Sequence, residues 1–500
     1  MELISIKPLL VVLIGVASVP LIILARNNPN VREGVSFATA ASMFAIVASM
    51  TSHVLDGGTY IYKIFTVLPG IDLTLKVDAL GLFFATTATF LWIITTGYSI
   101  GYMRSLNEHA QTRYFCCFAI AVFSAVGVAF SANLFTLYLF YEILSVMTYP
   151  LVAHHEDDAA WEGSTKYMVY LMGLSKTFLL GAVVLTWMIT GTLDFQSGGI
   201  FTPEMSGTMV TITYVCFLAG LAKAGFMPFH NWLPDAMVAP TPVSGLLHAV
   251  AVVKVGVFSV VRVMLDVFGV ETLAHFNLGI YTAFFVSFTI IMASVIAITK
   301  NDIKARLAYS TVSQLSYVVI GVALLSPMGI LGGIMHIVNH AFSKITLFFA
   351  AGSIYVASGL KKIDTMDGIG RKLPFTFTAF TIGAFSMIGV PAVAGFTSKW
   401  YMLVGITESQ SMGIITETQA TAVVFVLLTS TVLNAAYFLP IIYRAFFKPL
   451  PSGAPYDNLK EASPFVWVPL CLTGTGAFIL GIYPDYFVSI VNVVINGLGY

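Results

Sequence analysis

Residues 208–238 read TMVTITYVCFLAGLAKAGFMPFHNWLPDAMV, an apolar run that contains Lys223 and is interrupted by glycine and proline. A membrane-spanning helix needs about 20 apolar residues, so this run is longer than one span. Residues 374–407, PFTFTAFTIGAFSMIGVPAVAGFTSKWYMLVGIT, have the same character, with Lys399 just past the interruption. Free backbone at membrane depth is tolerated only where protein or water satisfies it. A matched pair of broken helices indicates an internal repeat around an ion path.

The composition agrees with a chain that is dissolved in lipid. Of its 500 residues, 58% are hydrophobic and only 10% are charged, whereas soluble domains carry about 25% charged residues. The 24 basic residues balance the 24 acidic residues, so there is no field that would attract a polyanion. The composition therefore predicts that the chain is embedded in the lipid bilayer, and it excludes nucleic acid as a partner.

Fourteen apolar segments have the length of a spanning helix, and that length excludes β-barrel strands. The longest connection, 53–77, is too short for a soluble domain. We therefore expect an all-α polytopic membrane protein with about 14 transmembrane helices, at 8–25, 34–52, 79–102, 112–131, 133–153, 166–190, 208–238, 241–267, 278–299, 305–325, 327–357, 374–407, 419–442 and 464–484.

The spacing of these segments predicts two related units. The fourth segment and the first broken one start 96 residues apart, and so do the ninth segment and the second broken one. Five helices is an odd number, so the two units have opposite orientations and the repeat is inverted. The predicted organisation is N-terminal helices 1–3 over 1–111, a first repeat over 112–267, a second repeat over 278–442 and a C-terminal helix over 464–500.

Positive charge predicts the orientation. Fifteen of the 24 Lys and Arg residues lie in loops on the side that receives the end of predicted helix 1, and three lie on the opposite side. Lys and Arg accumulate in cytoplasmic loops, so both termini are expected on the outer side of the cell's energy-conserving membrane. The other six cations lie inside spans. Arg262 is expected to pair with Asp266 or to reach the interface.

The remaining five are lysines, and a charge at the bilayer centre costs at least about 2.5–3.5 kcal/mol and usually marks an ion or proton route. Glu142 lies near the middle of predicted helix 5 and is the deepest carboxylate outside the broken segments. It suits either proton handling or a static ion pair with a neighbouring helix, and Lys176 is the candidate partner. The five lysines are Lys176, Lys223, Lys254, Lys344 and Lys399.

Three histidines accompany the lysines. His248 precedes Lys254 by six residues, and His336 and His340 share one helical face with Lys344. A zinc site at this pair lacks a third ligand, so a wet polar stripe that passes protons, or satisfied core histidines, are the interpretations kept. We expect no metal site and no cofactor, since there is no P-loop and the four cysteines lack metal spacing. The polar cluster at 154–158 is expected to be a solvated loop.

Several motifs in the chain resemble one family. They are AGLAKAGFMPFH at 219–230, followed by NWLPDA and APTPVS up to 244, then DIKARLAYSTVSQ at 302–314, HAFSK at 340–344 and GFTSKW at 395–400. The chain is similar over roughly 75–485 to the antiporter-like membrane subunits, which comprise the proton-pumping subunits of respiratory complex I and the large subunits of multisubunit cation/proton antiporters.

The resemblance implies roles for individual residues. Glu142 resembles the family's helix 5 glutamate, Lys223 its helix 7 lysine, and Lys254 and His248 its helix 8 lysine and histidine. Lys399 resembles the helix 12 lysine of the antiporter D-type and of one complex I type. The HAFSK motif is more similar to the A-type or to the largest complex I subunit, so the chain combines features of both.

Together these features predict an ion-translocating subunit that passes protons, with sodium as the alternative ion, and that works with other membrane subunits in a larger complex. The chain shows no redox site, so a link to an oxidoreductase depends on those partners. Three alternatives stay open: a sodium-coupled antiporter subunit, a stand-alone solute transporter, and a partner in a carbon-uptake or hydrogenase complex.

Overall fold

The computed structural model describes residues 2–246, 251–453, 456 and 458–500. Helices dominate it. They are α1 Lys7–Leu24, α2 Pro29–Ala48, α3 Thr51–Leu55, α4 Ala79–Ser105, α5 Gln111–Ala129, α6 Leu134–Val152, α7 Asp158–Leu174, α8 Leu180–Thr190, α9 Gly207–Gly220, α10 Trp232–Asp235, α11 Thr241–Leu246, α12 Val252–Arg262, α13 Gly269–His275, α14 Leu278–Thr299, α15 Ile303–Ala323, α16 Pro327–Ser358, α17 Pro374–Ile388, α18 Ala394–Ser411, α19 Glu417–Phe447, α20 Pro464–Ile482 and α21 Asp485–Gly497.

Ten helices in the described part of the chain are long and apolar enough to cross a membrane. One of them, Asp158–Thr190, joins α7 to α8 through a π-helical turn at Ser175–Leu179. Three shorter helices, α9, α17 and α21, are also apolar. The prediction of a helical, polytopic membrane protein is therefore confirmed.

Both long apolar segments are interrupted, as the glycine and proline pattern predicts. In the first, α9 ends at Gly220, a 3-10 turn covers Ala222–Ala224, and α10 begins only at Trp232. In the second, α17 ends at Ile388 and α18 begins at Ala394. Glycines with positive φ stand at both interruptions, +73° at Gly225 and +95° at Gly389, and a side chain there would strain the backbone.

The segment predicted as helix 8 (241–267) consists of α11, α12 and a π-helical turn at Val263–Phe268, and residues 247–250 lie outside the described part. Helix α12 packs directly on the first interruption. A Cβ atom at Gly256 would lie 2.2 Å from the backbone nitrogen of Ala224. Glycine therefore permits the close approach that brings α12 beside the turn carrying Lys223.

A small sheet is the one clear departure from the predicted all-α class. Strand β1 (Glu2–Ile4) pairs in parallel with β2 (Thr59–Leu68), and β2 pairs in antiparallel fashion with β3 (Ile71–Val77). The helix assignment predicts only a connection at 53–77. The β-branched and aromatic residues of this stretch favour strands, and Pro69 followed by Gly70, at φ +83°, forms the tight turn.

The longest helix forms the centre of the second half. Helix α16 has 32 residues and packs against α15, α17, α18 and α20. Its middle turns are completely buried, including His336, His340 and Lys344. Because this part of α16 is buried on all sides, its polar residues contact other helices of the protein and not lipid.

Candidate functional site

The first interruption positions Lys223 against α6. The Lys223 side chain is fully buried, and its Nζ donates a hydrogen bond to the Tyr141 carbonyl oxygen at 2.6 Å. The same Nζ lies 3.1 Å from the centre of the Tyr141 ring, whose face attracts a cation. A backbone carbonyl and a ring thus solvate the ammonium group, and neither of them carries a full negative charge.

Glu142 is the next residue of α6 and acts electrostatically on Lys223. Both of its carboxylate oxygens are buried, and neither has a hydrogen-bond partner among the described residues. Burying such a group without a partner is costly. Within the described part of the chain there is no ion pair at Glu142, so the static-pair interpretation has no support there.

Lys176 is not buried. It lies in the π-helical turn at Ser175–Leu179 and is exposed on the surface, as are the next two residues, Thr177 and Phe178. It forms no ion pair with any described residue, Glu142 included. The lysine beside Glu142 is Lys223.

Lys254 lies on α12, between the two halves of the chain. Its ammonium group is buried and has no hydrogen-bond partner among the described residues. It acts electrostatically on His336, His340 and Lys344 of α16. The ring nitrogens of His340 are likewise buried without a partner in the described chain. The structure therefore brings these predicted residues together in one buried region.

His336 connects this region to the second interruption. Its Nδ1 lies 2.8 Å from the Ser398 hydroxyl on α18, and its Nε2 lies 3.0 Å from Oε1 of Gln314 on α15. Lys399 also acts electrostatically on His336. The histidine is thus held between two helices, within reach of Lys254 on one side and Lys399 on the other.

A chain of hydrogen bonds joins Lys344 to Lys399. Lys344 Nζ donates to the Ser310 hydroxyl at 2.7 Å, and the Tyr437 hydroxyl lies 2.9 Å from the same oxygen. The Tyr437 hydroxyl also contacts Oδ1 of Asn434 at 2.5 Å, and Asn434 Nδ2 donates to the Met387 carbonyl at 3.2 Å. Lys399 Nζ donates to that same carbonyl at 2.8 Å.

The interrupted helix solvates Lys399. Its ammonium group also donates to the Ile388 carbonyl at 3.0 Å, and Met387 and Ile388 are the last residues of α17. The last carbonyls of a helix have no partner within the helix and carry a partial negative charge. The broken helix therefore offers a lysine two dipoles at membrane depth and no counter-ion.

Sequence reasoning did not assign roles to several of these groups. Ser310 and Gln314 lie in a quoted motif but had none, and Tyr437 and Asn434 were not singled out. The only sequence signal for Asn434 and Tyr437 was that two polar residues stand three positions apart in an apolar helix. Its meaning becomes clear only from the contact of Tyr437 with Ser310 on another helix. His248, which was predicted to belong here, lies outside the described residues.

We use the name polar path for the buried set that runs from α6 to α18. Every member except Glu142 is a buried residue, and Glu142 is partly exposed but has buried carboxylate oxygens. The members are Glu142, Lys223, Lys254, His336, His340, Lys344, Ser310, Tyr437, Asn434 and Lys399.

A cavity of about 430 Å³ opens on the loop side that the charge count predicts to be cytoplasmic. Charged residues of both halves line it, Lys166 and Asp235 from the first and Lys304 from the second. Thr241, at the start of α11, also lines it, and α11 leads along the chain towards α12 and Lys254. The cavity thus gives polar access to α11, at the start of the predicted eighth segment.

Glu108 and His155 form another wall of this cavity. Contacts with His154 and His155 lower the pKa of Glu108 to about 2, so its carboxylate is ionised. The 154–158 cluster is not the uniformly solvated loop that was expected, because His154 is fully buried. Burial lowers the pKa of His154.

Arg262 shows what a static buried charge looks like in this protein. Its guanidinium contacts Asp78 through two hydrogen bonds, Nη1 to Oδ2 at 2.5 Å and Nη2 to Oδ1 at 2.8 Å. Nη1 also contacts Asp266 at 2.8 Å, which was the predicted partner. This cation has two carboxylates, whereas the lysines of the polar path form no ion pair among the described residues.

Comparison with known proteins gives a consistent result. The family profile described as "NADH:quinone oxidoreductase/Mrp antiporter, TM" matches residues 131–426. A relative named "NADH-quinone oxidoreductase subunit N", from Desulforudis audaxviator, is 28% identical over 498 residues, covering 96% of this chain and 97% of the relative. A Rhizobium meliloti protein that is named as the A/B component of a probable K(+)/H(+) antiporter is 29% identical over 455 residues, covering 89% of this chain but only 44% of its own length.

Two solved structures share the fold. A chain of the Mrp complex from a Dietzia species superposes with a TM-score of 0.83 at 19% identity, covering 99% of this chain and 97% of that one. A chain of the membrane-bound sulfane sulfur reductase, an archaeal respiratory membrane complex, superposes equally well at 22% identity, covering 99% and 98%.

We predict that Asp78→Asn destabilises the protein strongly. Asn can still accept the Gly81 amide that Asp78 now accepts, but it leaves Arg262 with a single carboxylate. Loss of a hydrogen-bonded partner from a buried charged group costs about 1–3 kcal/mol, which thermal unfolding in detergent measures. Asp72→Asn is the matched control, because its ion pair with Lys63 is largely exposed and is worth at most about 1 kcal/mol. Equal losses in the two variants would contradict the static assignment.

Proposed function

The chain belongs to the NADH:quinone oxidoreductase/Mrp antiporter transmembrane family, and on that premise we propose that it is the proton-translocating membrane subunit of a larger complex. The observation that carries this proposal is the polar path. Carbonyls, a hydroxyl and aromatic rings solvate Lys223, Lys344 and Lys399, and Lys254 has no hydrogen-bond partner among the described residues. The described chain pairs none of these lysines with a carboxylate in a salt bridge. Groups held in this way can gain and lose a proton without breaking an ion pair.

Protons move along the path by exchange between neighbouring groups. Two positive charges close together in a medium of low dielectric constant repel each other, so a proton arriving at Lys254 disfavours a charge on Lys344. Lys344 then releases its proton to the hydroxyls of Ser310 and Tyr437, and water in the polar path carries it on to Lys399. The Asn434 amide and the Met387 carbonyl hold Tyr437 and Lys399 in place but pass no proton, because this carbonyl accepts from both of its neighbours. Coupled sites of this kind titrate as a set and not one by one.

Glu142 and Lys223 form the corresponding pair in the first half. The carboxylate acts on the lysine without forming an ion pair with it, so a charge that approaches Glu142 changes the balance at Lys223. Lys254, His336 and His340 connect this pair to the second half. Each half thus holds a group next to a helix interruption, and the centre of the path transmits the charge between them.

We further propose the inverted repeat that the spacing predicts, with units 112–267 and 278–442 between the N-terminal helices (1–111) and the C-terminal part (464–500). Helix starts in the structure support this. Helix α5 begins at Gln111 and α9 at Gly207, 96 residues later, while α14 begins at Leu278 and α17 at Pro374, again 96 residues later. In this arrangement the count is 14 spans, with both termini on the outer side.

Other membrane subunits complete the complex. Lys176 supports this, because a lysine that is exposed at the middle of a long apolar helix is costly against lipid. A partner subunit that covers the face around Thr177 and Phe178 and brings a polar or acidic group removes that cost. The partner also supplies the driving force, electron transfer or exchange with sodium, and family membership argues against a stand-alone solute transporter.

We predict that Glu142→Gln abolishes proton translocation while the complex still assembles. Glutamine keeps the volume and polarity but carries no exchangeable charge, so Lys223 loses the charge that acts on it. Proton uptake into proteoliposomes containing the purified complex measures this. Glu204→Gln, at an exposed position in a loop, is the matched control. Wild-type translocation by Glu142→Gln would rule out the carboxylate as a proton carrier.

We predict that Tyr437→Phe slows proton translocation by about tenfold or more. Removing the hydroxyl takes away one of the two O–H groups that receive the proton of Lys344 on its way to Lys399. The aromatic packing remains, and a net hydrogen bond is worth only about 1 kcal/mol of stability, so the fold should survive. Tyr443→Phe, on the exposed side of the same helix, is the control. If both variants translocate protons at the wild-type rate, the chain through Tyr437 does not carry protons.

A further inference from the structure

A histidine cluster at the edge of the loop-side cavity has no part in the polar path. It combines the connection between α4 and α5 with the connection between α6 and α7. We use the name loop-side histidine cluster for its four residues, Glu108, His109, His154 and His155. Glu108 and His155 line the cavity wall, so the cluster lies between the protein interior and the cavity.

The ligand atoms of this cluster converge. One carboxylate oxygen of Glu108 and one ring nitrogen each of His109 and His154 all lie within 4.8 Å of one another. The carboxylate reaches two histidines, with Oε2 3.6 Å from His154 Nε2 and Oε1 3.4 Å from His155 Nε2. Ligands of a tetrahedral zinc ion lie about 3.3 Å apart, so a small movement of the exposed His109 side chain closes the set.

His154 is an independent indication of a ligand. Its side chain is completely buried, and neither ring nitrogen has a hydrogen-bond partner among the described residues. An unsatisfied buried polar group costs about 1–3 kcal/mol. Its ring faces those of His109 at 4.9 Å and His155 at 5.7 Å between centroids. Glu108 Oε2, at 3.6 Å from His154 Nε2, is beyond hydrogen-bond distance. A buried imidazole that forms no hydrogen bond and has further nitrogen and oxygen donors around it is the arrangement that a metal ion satisfies.

The backbone orients the fourth residue. His155 Nδ1 lies 3.2 Å from the Val238 carbonyl, which can only accept, so Nδ1 carries the hydrogen. The Nε2 atom, 3.4 Å from the Glu108 carboxylate, donates to it when the ring is protonated, and in the neutral ring it offers a lone pair to a cation. A histidine that donates one nitrogen to a carbonyl and offers the other to a cation is the usual outer-shell arrangement of metal sites.

We propose that the loop-side histidine cluster binds one divalent transition-metal ion of the Zn²⁺ type, with Glu108, His109 and His154 as ligands and His155 as the fourth. Imidazole and carboxylate donors at tetrahedral spacing suit Zn²⁺, whereas Mg²⁺ and Ca²⁺ need sets of oxygen donors. The nearby Arg113 guanidinium is held by Glu156 and by the His154 carbonyl, so its charge is offset. The bound ion ties the two loops together at the cavity wall.

The proposed metal site could not be predicted from the sequence. His154 and His155 are adjacent, but Glu108 and His109 are about 45 residues away and belong to another loop. The spacing of local zinc motifs is therefore absent, and the expectation that the chain has no metal site followed. Only the fold, which places the α4–α5 and α6–α7 connections side by side, brings the two pairs together.

The test uses the purified complex without a polyhistidine tag, stripped with a chelator and then titrated with Co²⁺ and Zn²⁺. We expect the wild-type chain to bind one more metal ion tightly than the ligand variants described below. We also expect a visible Co²⁺ spectrum of the tetrahedral type and a rise in unfolding temperature with Zn²⁺. Removal of outer-shell partners weakens metal binding about 10–100-fold. Removal of a ligand in His109→Asn or His154→Asn should weaken binding at least that much and abolish both signals.

The controls distinguish the site from non-specific binding. His109 is exposed, so His109→Asn should fold even if a change at buried His154 does not. His275→Asn changes an exposed histidine outside the cluster and should leave binding intact. Equal Zn²⁺ stoichiometry and affinity in wild type and His109→Asn would overturn the proposal, and so would a Co²⁺ spectrum of octahedral type only. None of these readouts depends on proton translocation.

Discussion

An ammonium group buried at membrane depth without a paired carboxylate is the constraint around which this protein is built. Transfer of such a charge out of water is expensive, and the described chain forms no salt bridge with Lys223, Lys254, Lys344 or Lys399. What it offers are dipoles: the Tyr141 carbonyl and ring for Lys223, the Ser310 hydroxyl for Lys344, and the last carbonyls of α17 for Lys399. The interruptions at 221–231 and 389–393 place the first and last of these lysines beside free backbone.

Arg262 differs from these lysines in how its charge is compensated. That guanidinium has two carboxylates and stays charged, so it holds α4 against α12 and contributes stability. The lysines of the polar path contact at most carbonyls, a hydroxyl and aromatic rings, and none of them has a carboxylate partner among the described residues. Polar atoms left without partners, at Glu142, Lys254 and His340, are sites that water can hydrate. The same chain therefore contains one charge set built for stability and another built for exchange.

The sequence predicted the fold class and most of the candidate site, because the signals involved were local. Length and hydropathy gave the helices, glycine and proline gave both interruptions, and the buried lysines stood out against their apolar surroundings. Three things depended on packing. Lys176, in the π-helical turn, is exposed, because the helices packed around it leave that side open. Tyr437 joined the path only through its contact with Ser310 on another helix. The small sheet formed where only a connection was expected, because β2 also pairs with the distant strand β1 at Glu2–Ile4.

The most direct test of this account is Lys254→Met, measured for both stability and transport in the purified complex. Methionine fills a similar volume without a charge, and Lys254 has no hydrogen-bond partner among the described residues. The account predicts an unfolding temperature equal to or above that of the wild type, together with loss of proton translocation into proteoliposomes. Wild-type translocation by the variant would contradict it. A large fall in unfolding temperature would also contradict it, because it would show that Lys254 holds the structure together.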